Sequence, residues 1–239
     1  MSQKFTLDKD ICEKLFSFDV PRISDDMNDL LCKEISMSEL ITALKQLKPK
    51  ASPGIDGIPS TLYVRMSKLF APYMLEVFNK ILHGELPSDS MRTSTLMFLS
   101  KPKKMESIKF EDKRKISILC SDFKCIEIIL TNRLNIVMNQ FISKSQYACK
   151  PRKIQQGLAA ARDVVNFASK KKTGMACVAL DMKSGFDFLQ MDFVYFCFKK
   201  YGFKDEAINI FKNIYSNALA TLVLNGKTSK LLEDLRECL

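Results

Sequence analysis

The stretch from Cys177 to Asp187, Cys-Val-Ala-Leu-Asp-Met-Lys-Ser-Gly-Phe-Asp, carries the clearest chemical signal in this chain. An apolar run rich in small and β-branched residues ends on Asp181, and Phe186 follows five positions later. Such a run predicts a buried strand with a carboxylate at its C-terminal edge. A carboxylate there can hold a hard divalent cation, because Mg²⁺ prefers oxygen ligands and takes only one or two from the protein. The sequence reaches Leu239 before a second carboxylate cluster appears, so the expectation is half of a metal-dependent site. Without further context, capping the turn that follows is the better reading of Asp181.

Charge narrows the chemistry. Lys and Arg number 37 against 27 Asp and Glu, a formal net charge of +10, which favours a polyanion such as nucleic acid as partner. The eight cysteines include no Cys-x-x-Cys pair and His83 is the single histidine, so a zinc knuckle is not expected. Free, buried thiols in a reducing compartment are expected instead. The N-terminus lacks an apolar signal core and no long uncharged apolar run occurs, which predicts an intracellular protein, nuclear or cytoplasmic, with no membrane span. At 239 residues and 46% hydrophobic, the chain can bury one large core or two small ones.

The elements that must position Asp181 follow from periodicity and punctuation. Residues 1–35 read as a leader or linker, acidic at Asp25, Asp26 and Asp29. Ser36 and Glu39 offer a capping box for a helix through Leu40, Ala43, Leu44 and Leu47. Pro53, Gly54, Asp56 and Gly57 then predict a rigid turn with Asp56 accepting from backbone N–H groups. The loop is no phosphate-binding P-loop, since it lacks Gly-x-x-x-x-Gly-Lys. A helix from about Ser60 to Ile81 should kink or break near Phe70, ahead of Pro72. Strands are predicted over 94–99 and 116–119, helices over 122–141 and 155–167, and the Asp181 strand over 175–181. Further helices near 190–200 and 204–217 precede a strand at 219–224 and a tight Asn225-Gly226 turn. Helices with scattered short strands predict an α+β fold.

With these motifs in order, the chain resembles the reverse transcriptases of non-LTR, LINE-type retrotransposons. Lys50-Ala51-Ser52-Pro53-Gly54-Ile55-Asp56-Gly57-Ile58 resembles the family loop K-x-x-P-G-x-D-G-I. Leu99-Ser100-Lys101-Pro102 resembles its first basic finger motif, and Arg114-Lys115-Ile116-Ser117-Ile118-Leu119 resembles R-P-I-S-L-L. Lys124 and Asn132-Arg133-Leu134 fit the next helix, Gln146 opens the counterpart of Q-x-G-F, and Asp181 to Asp187 resembles D-x-x-K-A-F-D. The departures are Ser100 and Lys115 at usual prolines, Ala148-Cys149 for Gly-Phe, and Gly185 for Ala. The family's glycine-glutamine and aromatic-x-Asp-Asp motifs have no counterpart before Leu239.

The resemblance implies a right-hand polymerase with fingers over 36–175, an incomplete palm over 176–239 and no thumb. It implies RNA-directed DNA polymerisation on an RNA template and DNA primer, with deoxynucleoside triphosphates and Mg²⁺. Asp181 would be a catalytic metal ligand, Lys101 and Arg114 would hold the triphosphate, and Phe186 would exclude a ribose 2′-hydroxyl. Asp187 is assigned a cap or ion-pair role instead. Lys103, Lys104, Lys150, Arg152 and Lys153, with Lys170 to Lys172, would track nucleic-acid phosphates. Because the palm is expected to be incomplete, the isolated chain is expected to be catalytically deficient and to self-associate through the palm's open strand. The alternative is a noncatalytic RNA- or DNA-binding protein of retrotransposon origin.

Overall fold

A computed structural model describes residues 7–102, 105–107, 109, 112–148, 153–171, 174–182, 185, 189–215, 218–224 and 226–233. The fold is mixed α/β. Helices α1 (Lys9–Leu15), α2 (Asp25–Cys32), α3 (Met37–Gln46), α4 (Ser60–Arg65), α5 (Ser67–Leu82) and α6 (Asp89–Arg92) lead into strands β1 (Thr93–Ser100) and β2 (Lys113–Ile118). Helices α7 (Ser121–Met138), α8 (Ile154–Lys171), α9 (Met191–Lys200) and α10 (Asp205–Tyr215) follow. Strands β3 (Leu219–Leu224), β4 (Lys227–Thr228) and β5 (Leu232–Glu233) complete the order. The sheet runs β2-β1-β3-β4, with β5 also paired to β3; β1 and β2 are antiparallel and β1 and β3 parallel.

Local sequence accounts for most boundaries. Ser36 accepts from the Glu39 N–H while the Glu39 carboxylate accepts from the Ser36 N–H, the expected capping box at α3. The long helix expected from Ser60 breaks at Met66 rather than Phe70. Pro72 lies inside α5, so the Lys68 carbonyl four residues earlier loses the N–H it would otherwise accept from. The turn expected at Asn225-Gly226 joins β3 to β4, with Leu224 opposite Lys227 and Gly226 at φ 75°; Asn225 itself lies outside the described residues.

The main core packs α3, α5, α7 and α10 around Leu40, Leu44, Phe78, Ile126 and Ile129. A second cluster joins Ile23 and Leu31 to Val137, Phe203, Ala207 and Ile208. Part of the expected leader is therefore packed structure. Asn28 of α2 is buried, donating to the Gly202 carbonyl at 3.1 Å and accepting from the Lys204 N–H at 2.8 Å. Its apolar neighbours Ile23 and Leu31 pack on Phe203, Ala207 and Ile208 from the chain's far end, which local sequence cannot show.

Arg133 of α7 is the buried charge that joins these parts. Its Nε and Nη2 donate to the two Glu39 carboxylate oxygens at 2.9 and 3.1 Å, and it also donates to the carbonyls of Leu31, Lys33 and Glu34. These contacts meet the guanidinium's demand for planar, multiply placed acceptors. The same contact holds the Glu39 carboxyl down at about 2, chiefly through the Arg133 hydrogen bonds.

The largest departure concerns residues 174–182. They are exposed and belong to no helix or strand, where a buried strand was expected. Apolar, β-branched composition supplies strand propensity, but a strand also needs a neighbour for its N–H and C=O groups. Among the described residues these groups find none. Cys177 is consequently exposed rather than a buried thiol. Among the described residues no helix is long and apolar enough to cross a membrane.

Candidate functional site

Hairpin β1–β2 brings two of the expected site residues together. Leu99 lies opposite Arg114 and Ser100 opposite Lys113, and the Lys101 N–H continues the ladder by donating to the Asp112 carbonyl at 3.1 Å. Side chains alternate between faces along a strand, and directly opposed residues share one. Leu99, Lys101, Asp112 and Arg114 therefore occupy the same face, with Met97 and Ile116 further along it. That face is the more open one: Met97, Leu99, Arg114 and Ile116 are exposed, whereas Leu96 is buried. The Arg114 side chain makes no hydrogen bond or ion pair to any described residue. Asp112, almost fully buried, accepts from the Ser107 hydroxyl at 2.7 Å, which steadies the end of the hairpin.

The loop over 50–58 packs against the N-terminus of α7. Asp56 accepts from the Ile58 N–H at 3.0 Å, the Ser60 and Ser121 hydroxyls are 3.0 Å apart, and Ser121 also reaches the Ile58 carbonyl. Lys124 adds a contact to the Ser52 carbonyl at 3.4 Å. Gly54 is required by close approach, since a Cβ there would lie 2.5 Å from the Cys120 nitrogen and 2.6 Å from its Sγ. Gly57 is required by its φ of 69°. Gly54→Ala should push the loop off α7 and lower stability by about 1–3 kcal/mol, the usual range for overpacking. Urea denaturation of G54A measures it, and a loss within error of zero would mean the loop is not seated as described.

Asp56, Cys120 and Asp122 form the one group among the described residues whose ligand atoms could converge on a cation. Sequence reading missed it because nothing in spacing links the loop to α7. Burial pushes the Asp122 carboxyl up, with the Phe123 N–H opposing and the Asp56 charge adding to the rise. Burial likewise raises the Cys120 thiol, which donates to the Ser90 carbonyl at 3.2 Å. A protonated thiol between two carboxyls does not suit Mg²⁺, which selects oxygen donors. The arrangement serves to seat the loop.

Asp181, the expected metal ligand, stands apart from that group, exposed and without a hydrogen bond or ion pair among the described residues. It offers one carboxylate with both oxygens free. It belongs to no group of three or more described ligand side chains, so it fits Mg²⁺ as one ligand and not as a complete site. Lys153 is exposed and opens α8, its N–H donating to Gln156 at 3.0 Å; Lys170 and Lys171 are exposed at the other end. Phe186, Asp187, Lys103, Lys104, Lys150, Arg152 and Lys172 lie outside the described residues.

Residues 101–235 match the protein family described as reverse transcriptase (RNA-dependent DNA polymerase). The chain is 27% identical over 221 residues to the transposon TX1 uncharacterized 149 kDa protein of Xenopus laevis, covering 90% of this chain and 16% of that protein. It is also 31% identical over 108 residues to the probable RNA-directed DNA polymerase from transposon BS of Drosophila melanogaster, covering 45% of this chain and 12% of that protein. The chain thus spans less than a fifth of the length of either relative.

Proposed function

Because the chain belongs to the reverse transcriptase (RNA-dependent DNA polymerase) family, we propose that it acts in RNA-templated DNA synthesis, presenting Lys101 and Arg114 to the triphosphate of an incoming deoxynucleotide. The supporting observation is the hairpin register, which puts both cationic side chains on one open face. An ammonium and a guanidinium two positions apart along adjacent strands can neutralise neighbouring phosphate oxygens and orient the reacting phosphorus. Arg114 supplies a planar fork for paired oxygens, while Lys101 acts as a compact charge. Asp181 would contribute one carboxylate to a catalytic Mg²⁺. When bound at a polymerase site, such ions activate the attacking primer oxygen and neutralise the leaving group. Phe186 would act as the steric filter for the sugar. In this reading the subdomains are fingers over 36–175 and palm from 176, with the template and primer held through Lys153 and the neighbouring basic residues.

Equilibrium binding of a fluorescent deoxynucleoside triphosphate tests the reading. Saturable binding should weaken about tenfold in Arg114→Ala, the loss of one charge-assisted pair. Asp181→Ala should leave metal-free binding unchanged. Absence of saturable binding, or an Arg114→Ala variant that binds as well as the parent, defeats the proposal.

A noncatalytic RNA-binding role is favoured by one observation, the position of Asp181 in an exposed segment and outside any group of three or more described ligand side chains. That reading expects RNA affinity to fall steeply between about 50 and 200 mM salt, as phosphate contacts dictate. It also expects no response to Mg²⁺ or to Asp181→Ala. No RNA binding at low salt would remove it.

A further inference from the structure

The donor set at the start of α7 that rejects Mg²⁺ suits a softer ion. One carboxylate oxygen each from Asp56 and Asp122 and the Sγ of Cys120 all lie within 4.8 Å of one another. Ligands of a tetrahedral Zn²⁺ sit roughly 3.3–3.7 Å apart, from bonds of about 2.0–2.3 Å, so side-chain shifts of about 1 Å close the set. Cys120 is buried, while Asp56 and Asp122 are half-buried and give an ion a way in from solvent. A second observation also points to a cation. Tyr63 of α4 is 7% exposed, and its hydroxyl makes no hydrogen bond to any described residue. Burial pushes this phenol up first, and the charges of Asp122, Asp56 and Cys120 add to the rise, so the unpartnered oxygen lies in the field of those same three groups. Phe70 packs on the ring at 5.3 Å between centroids and holds it in place. Four acidic groups thus share one site, and among the described residues neither carboxylate has a lysine or arginine as ion-pair partner. Anions gathered away from water without a counter-charge are costly, and a divalent ion supplies that charge.

We propose that Asp56, Cys120 and Asp122 form a site for one thiophilic divalent cation, of which Zn²⁺ is the type, with the Tyr63 hydroxyl as the polar group beside the ion. The sulfur decides between metals, since thiolate selects zinc over the oxygen-seeking Mg²⁺. Binding forms a metal–sulfur bond, breaks the Cys120 S–H bond and releases that proton to solvent. The thiol's contact to the Ser90 carbonyl is given up, while the Asp56 N–H, which favours the thiolate, remains. The ion ties the 50–58 loop to α7, adding to the contact already made between Ser60 and Ser121.

The proposal does not rest on the nucleotide reading above, and its test needs no nucleotide. Co²⁺ reports it, because cobalt occupies zinc sites and shows a thiolate charge-transfer band only when sulfur is bound. The full chain, stripped of metal by a chelator, should take up one Co²⁺ with that band, lose the band to one equivalent of Zn²⁺ and keep it in excess Mg²⁺. Cys120→Ser should abolish the band. Asp56→Asn and Asp122→Asn should each weaken Zn²⁺ by at least about tenfold, the loss that even an outer-sphere partner causes. Cys177→Ser, at an exposed thiol outside the group, should change neither. Hydrogen exchange on the unsubstituted chain depends on no variant folding: Zn²⁺ should slow the amides over 54–58 and 120–123, and Mg²⁺ should not. The proposal is overturned by a parent chain with no band, by a band that persists in C120S or vanishes in C177S, or by D56N and D122N binding Zn²⁺ as tightly as the parent. Exchange over 54–58 that is indifferent to Zn²⁺ overturns it equally.

Discussion

Arg133→Met lowers the unfolding free energy by about 1–3 kcal/mol, the cost of leaving buried acceptors without their charged donor, since the Glu39 carboxylate left behind is about a third exposed and partly hydrated. Methionine can replace the aliphatic stem but none of the donors. Glu39 then keeps its carboxylate without the guanidinium, and the carbonyls of Leu31, Lys33 and Glu34 lose a donor where the chain turns from α2 into α3. Arg133→Lys should recover only part of the loss, because an ammonium cannot reach the carboxylate and the carbonyls together. The interaction also has a pH signature with a definite sign. The Glu39 carboxyl is held below its ordinary value, so its contribution is present above about 4.5 and is lost as pH falls toward about 2. Denaturant titrations of the parent, R133M and R133K supply the numbers. A cost below about 1 kcal/mol for R133M would place Arg133 among ordinary surface cations.

Glu127 gives the opposite pH dependence. This α7 carboxyl is driven up to about 7, mainly by burial, with Lys124 one turn earlier on the same helix holding back part of the rise. From α10 it is faced by Tyr215, whose phenol is pushed up to about 12 by burial first and then by the charges of Glu127 and Tyr195. Tyr195 of α9, which acts on Tyr215, carries the Lys212 ammonium 5.4 Å from its ring. The unfolded chain releases this proton near 4.5 and the folded protein near 7. The folded state therefore binds more protons between those values, and stability falls as pH rises through that window, by up to about 3 kcal/mol. Glu127→Gln cannot ionise and should flatten the fall, leaving the variant the more stable protein at pH 8. Urea midpoints for both proteins at pH 5 and pH 8 decide it; parallel behaviour would show that Glu127 ionises freely in the fold.

Local chemistry made much of the fold legible. The Ser36–Glu39 capping box, the start of α7 near Ser121 and the Gly226 turn are short-range effects, and they appear where propensity and punctuation place them; α7 ends at Met138, three residues before the expected Phe141. Lys101 and Arg114 were named from motif resemblance, but only the register of β1 against β2 places them on one face. Pairing between distant segments escapes periodicity. The Asp56–Cys120–Asp122 group and the Arg133 hub were unreadable for that reason, as was the packing of α2. The 174–182 segment failed in the other direction, since its composition states a preference for strand and says nothing about a partner. Its carboxylate could be named from the sequence, while its surroundings could not.

The attachments of α2 also set an order in time. Its carbonyl contacts come from Arg133, and the Asn28 amide is held by backbone groups at Gly202 and Lys204, 174 and 176 residues downstream. A ribosome therefore releases the N-terminal helices long before anything exists for them to dock on. At roughly 5–20 residues per second, that wait lasts on the order of ten to thirty seconds. Throughout it, Leu31 and Ile23 stand open to chaperones, and α2 is locked in place only once Lys204 has been made.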